Sequence, residues 1–129
     1  MISKATQKWL VLAQEDLRDA KALLEYENKF LKFVVFASQQ AAEKAIKAYL
    51  TQSKSRYPNT HDIEDLLKLV SKINGELSEK LFPAQRLTAY AIAFRYPDAA
   101  TEELNMEVAH RAVKIADETL SAILASIET

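Results

Sequence analysis

Cysteine is absent from the 129 residues, glycine occurs once and proline three times. Without thiols there is no disulfide, no thiolate zinc or iron–sulfur centre and no cysteine nucleophile. A β-rich domain needs many turn residues and a phosphate-cradling loop needs several glycines, which Gly75 alone cannot supply. No apolar run approaches the roughly 18 residues of a membrane span, and the N-terminal MISKATQKW lacks the apolar core and cleavage pattern of a signal peptide. These absences leave an all-α protein, expected to be cytoplasmic and without a membrane partner. The length suits a single domain over residues 1–129.

What is present agrees. Hydrophobic residues make up 49% and charged residues 27%, a composition that supports a packed core. The net charge is −1, from 17 basic and 18 acidic residues, which is not that of a non-specific nucleic-acid binder. The charges are unevenly placed. Residues 28–61 carry Lys29, Lys32, Lys44, Lys47, Lys54 and Arg56 against Glu43 alone, and residues 80–97 carry Lys80, Arg86 and Arg95 with no acid. Acids dominate from Asp98 onward. Such segregation suits local binding of a small anion or RNA, or simply solvated helix faces.

Apolar spacing predicts a first helix from Ser3 to Glu27, with Trp9, Ala13, Leu17, Ala20 and Leu24 on one stripe. A second, Phe30 to Ser53, is apolar around much of its circumference and so is expected to lie centrally. The polar TQSKSRYPNTHD reads as the longest loop. A third helix starts near His61 or Asp62 and shows Ile63, Leu66, Leu67, Val70 and Ile73, with Gly75 in the place of a left-handed C-cap. A short piece follows through Leu77 and Leu81. Pro83 suits the first turn of a fourth helix that ends at Arg95, because Tyr96 precedes Pro97. Thr101 opens the last helix, whose apolar face runs from Leu104 to Ile127. The architecture expected is an antiparallel up-and-down bundle of four main helices plus a short extra helix.

Three groups of residues are candidates for chemistry. Gln39, Gln40, Glu43, Lys44 and Lys47 interrupt the most apolar part of the second helix, and Gln40–Lys44 and Glu43–Lys47 share faces at i, i+4. They form either a polar cluster toward a groove or partner, or an ordinary outward face. Arg56 and His61 have a spacing at which a proton-transferring imidazole and a charge-stabilising guanidinium could cleave RNA, although His61 also reads as a residue of a helix start. Tyr90, Arg95, Tyr96 and Asp98 gather at a helix–loop–helix corner suited to stacking and anion binding, where Arg95 also complements the helix dipole. His110 stands 49 residues from the other histidine, which gives a metal site little support.

Four segments in order resemble the HEPN domain family, the higher-eukaryote and prokaryote nucleotide-binding domains. They are Trp9 with Ala13-Gln-Glu-Asp-Leu17; Phe36-Ala-Ser-Gln-Gln-Ala-Ala-Glu-Lys-Ala-Ile-Lys47; Pro58 to Ile63 followed by Leu66-Leu67; and Tyr90 through Arg95-Tyr-Pro-Asp98. The resemblance implies a small helical bundle, often a homodimer, that binds nucleotide or RNA for a separate minimal nucleotidyltransferase and needs no cofactor. Lys44, Lys47, Arg95 and Tyr96 would then supply phosphate contacts and stacking, supported by Gln40, Glu43, Tyr90 and Asp98. Some relatives are metal-independent ribonuclease toxins of toxin–antitoxin pairs, with an arginine followed after four to six residues by a histidine near the fourth helix. This sequence departs from that pattern. From Arg95 the gap lands between Ala100 and Glu102, where there is no histidine, and the Arg56–His61 pair falls in the loop before the third helix. The expectation is therefore a non-catalytic binding subunit. The ribonuclease, with Arg56 and His61 or His110, is the alternative, and a pure interaction module is a third.

Overall fold

The computed structural model describes residues 1–94 and 103–128. Helix α1 (Lys4–Leu24) is opened by Ser3, whose hydroxyl accepts from the Thr6 N–H. It buries Thr6, Leu10, Ala13, Leu17 and Ala20, alternating steps of four and three that make a single stripe. The helix stops at Leu24, short of the expected Glu27. Glu27 takes a left-handed φ of 46° and begins a 3-10 turn, Glu27–Lys29, that reverses the chain.

Helix α2 (Leu31–Gln52) runs back along α1. Two cross-helix bonds fix the antiparallel register, one near the end of the contact and one at its middle. Gln52 accepts from the Thr6 hydroxyl at 2.9 Å, and Lys44 reaches Asp16 at 2.6 Å. As its apolar circumference required, α2 is central and packs against α1, α3, α5 and α6. From Ser38 to Leu50 every residue is buried except Gln40 and Lys44, which are half-buried. Phe33 and Phe36, which the sequence groups with this apolar surface, stay exposed. The helix ends in a Schellman motif: the Ser55 N–H donates to the Leu50 carbonyl at 2.9 Å and the Lys54 N–H to Thr51 at 3.0 Å. Lys54 holds the left-handed position, with φ 57°.

Asp62 caps α3 (Ile63–Ile73) by accepting from the Glu64 N–H at 2.9 Å. Ile63, Leu66, Leu67 and Val70 are buried as expected, whereas Ile73 is exposed. The left-handed C-cap assigned to Gly75 does not form. Asn74 ends α3 in extended geometry, φ −152°, and its side chain accepts from the Leu77 N–H, so Gly75 is instead the first residue of α4 (Gly75–Leu81). The asparagine side chain wins this corner because it can terminate one helix and cap the next.

Pro83 sits in a 3-10 turn, Phe82–Ala84, just before α5 (Gln85–Ala93), two residues short of the end expected at Arg95. Helix α6 (Met106–Glu128) begins later than Thr101, which lies outside the described residues. Its cap is Asn105, whose side chain accepts from the Val108 N–H at 3.0 Å, and Leu104 precedes the helix. Among the described residues there is no strand, and no helix is long and apolar enough to cross a membrane. The all-α bundle expected from the sequence is what forms.

Candidate functional site

The polar residues of α2 divide between two environments, since one step along a helix turns the chain by about 100°. Gln39, Glu43 and Lys47 recur every fourth residue and form a buried ladder. Gln39 Nε2 donates to Glu43 Oε1 at 3.1 Å, and Lys47 Nζ donates to Glu43 Oε2 at 3.0 Å. The Glu43 and Lys47 side chains are only 2% and 5% exposed. Lys47 Nζ also lies 5.6 Å from the centre of the Trp9 ring, a cation–π contact across the α1–α2 seam. Burying an ion pair brings little net stability over apolar residues of similar size, because desolvation offsets the attraction. What the ladder delivers is a carboxylate held in place inside the bundle.

That carboxylate is read out at the surface by His61. Nδ1 of the ring is 3.2 Å from both Glu43 oxygens, although the imidazole side chain is 76% exposed. A carboxylate accepts only, so Nδ1 donates to Glu43, and in the neutral imidazole Nε2, on the opposite edge, is left as an acceptor. Two further bonds place the histidine. Gln39 Nε2 donates to the His61 carbonyl at 3.0 Å, and the Ile63 N–H donates to the Thr88 hydroxyl at 3.1 Å, which ties the start of α3 to α5.

His61 lines a groove of about 480 Å³ between α2 and α5, together with Phe36, Gln39, Gln40, Asp62, Thr88 and Ile92. A smaller hollow of about 210 Å³ shares Phe36 with it and adds Lys32, Phe33, Tyr90 and Phe94. Tyr90 and Phe94 are in ring contact, with centroids 5.7 Å apart. The combined trough therefore has aromatic faces at one end and hydrogen-bonding groups at the other. It can stack a planar ring and read polar atoms on its edge.

The residues singled out from the sequence distribute as follows. Gln40 and His61 line the groove, Glu43 lies beneath it, and Tyr90 lines the aromatic hollow, where its hydroxyl accepts from Arg111 at 2.9 Å. The i, i+4 partnership of Gln40 with Lys44 is not made. Gln40 donates to Gln39 at 2.7 Å, and Lys44 pairs with Asp16 on the α1 side. Lys47 is inside, so its expected phosphate contact gives way to the bond with Glu43. Arg56 is exposed in the loop and does not line the groove. Arg95, Tyr96 and Asp98 lie outside the described residues.

Asp62 and Thr88 join the site without having been selected as site residues, and Gln39, named from the sequence only as part of the polar cluster of the second helix, lines the groove as well. Nothing local marks Thr88, because its role depends on α5 meeting the start of α3.

No functionally curated protein matches the chain. Among solved structures, TT1696 from Thermus thermophilus superposes with a TM-score of 0.74 at 27% identity, covering 95% of this chain and 98% of its own. ST0689, an archaeal HEPN homologue, shares the fold with a TM-score of 0.72 at 22% identity, over 95% of this chain and 97% of its own. The pattern of the HEPN domain family matches residues 6–126, nearly the whole chain, which therefore belongs to that family.

Proposed function

We propose that the chain is a non-catalytic nucleotide- or RNA-binding HEPN subunit that acts with a separate minimal nucleotidyltransferase, and that the α2–α5 groove receives the nucleotide. The observation that supports this reading is the placement of exposed Phe33 and Phe36 in one trough with Gln40, His61 and Thr88. An aromatic face takes the base irrespective of its identity, while the acceptor Nε2 of His61 and the amide of Gln40 discriminate among polar edges. Arg95 and Tyr96 follow Phe94 directly in sequence and belong to the same proposal as phosphate and stacking contacts. Lys44 and Lys47, held by Asp16 and Glu43, do not line the groove and supply no phosphate contact in this reading. Calorimetric titration with nucleoside monophosphates, nucleoside triphosphates and a short oligoribonucleotide tests this. Base stacking on an aromatic side chain contributes about 1–3 kcal/mol, so Phe36→Ala should weaken binding by roughly five- to 150-fold. A folded wild-type protein that binds none of these ligands sinks the reading. Affinity capture should also return a nucleotidyltransferase in equal stoichiometry.

A second reading, metal-independent RNA cleavage, is favoured by one specific feature. Glu43 orients an exposed imidazole so that Nε2 can exchange a proton at the groove. Cleavage of RNA in the presence of a chelator, abolished in His61→Ala, supports it. Intact RNA over a wide range of protein concentration excludes it.

A further inference from the structure

On its other flank α5 borders a second cleft. The 3-10 turn and the first residues of α5 face the middle of α6 across about 610 Å³, lined by Phe82, Gln85 and Arg86 on one wall and Arg111, Lys114 and Glu118 on the other. Arg111 and Lys114 are three residues apart on α6 and so project from one face, with Arg86 opposite. Three cations thus meet one lining carboxylate, in a protein whose overall charge is −1. The wall from Phe82 to Arg86 belongs to residues 80–97, which carry no acid, and the α6 wall belongs to the acid-rich stretch after Asp98.

The three cations are not equivalent. Arg111 is anchored: Nη1 donates to the Tyr90 hydroxyl at 2.9 Å and Nη2 to Glu107 at 3.2 Å, which fixes its guanidinium at the cleft wall. Arg86 and Lys114 are exposed, and among the described residues neither makes an ion pair. Two unpaired cations flanking an anchored one are arranged for an external anion. Beside them Phe82 is 64% exposed, an apolar ring held in water next to positive charge. Cations alone would suit any anion. Cations together with an exposed aromatic face suit a ligand that carries phosphate and a stackable base.

We infer that the cleft between α5 and α6 is a second phosphate-binding site, which takes the backbone of single-stranded RNA through Arg86 and Lys114, with a base against Phe82. No residue lines both the cleft and the α2–α5 groove, and the two are joined only through Tyr90, which lines the neighbouring aromatic hollow and holds Arg111. The site stands whether or not that groove binds nucleotide.

The test is fluorescence anisotropy of a labelled, mixed-sequence single-stranded oligoribonucleotide, titrated with the full chain at several salt concentrations. In Arg86→Gln/Lys114→Gln the affinity should fall about tenfold, and the slope of log K against log salt should shrink by about 1.4, the value for two lost contacts to a single strand. Phe82→Ala should also weaken binding. Lys68→Gln/Lys72→Gln, on α3, makes the same change in net charge and should leave the slope unaltered. His61→Ala separates the two sites: it weakens binding at the groove, and its loss should add to that of the cleft variants. Circular dichroism should show unchanged melting for the cleft variants, whose side chains are exposed. The proposal is overturned if wild type does not bind the RNA, if the two double variants lose affinity equally, or if a glutamate-rich peptide occupies the cleft in place of RNA.

Discussion

Lys47 is where a single side chain should matter most. Its ammonium compensates a carboxylate buried in the bundle, so Lys47→Ala leaves Glu43 with hydrogen bonds from Gln39 and His61 but without its buried cation. Removing one partner of a buried ion pair costs about 3–5 kcal/mol. Urea denaturation should show a loss of that size, and Glu43→Gln combined with Lys47→Met should recover much of it, a coupling that a double-mutant cycle measures directly. Equal losses from the single and the double variant would mean that the pair carries no such coupling. His61 behaves differently. Being exposed, it should tolerate replacement with little change in stability, while binding in the groove falls. The sequence showed that these polar residues share a helix with an apolar core. It did not show that Glu43 and Lys47 face inward while Lys44, between them, faces Asp16, because that depends on where α1 lies.

Among the elements, the corner between α3 and α4 differs most from its sequence reading. Gly75 lacks a positive φ, and a Cβ built there meets nothing within 4 Å. Gly75→Ala should therefore stabilise the protein by about 0.4–1 kcal/mol, chiefly by restricting the unfolded chain. A fall in the urea midpoint would contradict the helical assignment. Lys54 is the converse case, a side chain in the left-handed position of a Schellman motif. That geometry costs a non-glycine residue about 1–2 kcal/mol, and Lys54→Gly should regain part of it. Both caps were hidden by the same difficulty. Asn74 and Asn105 act through side-chain bonds to a helix that only the fold assigns to them, whereas glycine and threonine are the stronger local signals.

For the whole molecule, stability should concentrate in α2. It contacts α1, α3, α5 and α6, and Ile46 and Leu50 on it are fully buried. Ile46→Ala should cost about 2–5 kcal/mol, and amide exchange should be slowest along the middle of α2. A nucleotide held between α2 and α5 should raise the melting temperature in proportion to the logarithm of its excess over Kd. No such shift at a saturating concentration would argue against the groove as the binding site.

By itself the sequence determined the class and order of the helices, the central place of α2, and the family. These follow from apolar period, from the scarcity of turn residues and from short motifs, all of which act over a few neighbouring positions. Only the tertiary structure decided which polar groups meet. Glu43 and His61 are 18 residues apart, Ile63 and Thr88 25, and Tyr90 and Arg111 21. Their contacts depend on how helices pack, since a rotation of α2 by a single residue would exchange the buried Gln39, Glu43 and Lys47 for the half-buried Gln40 and Lys44.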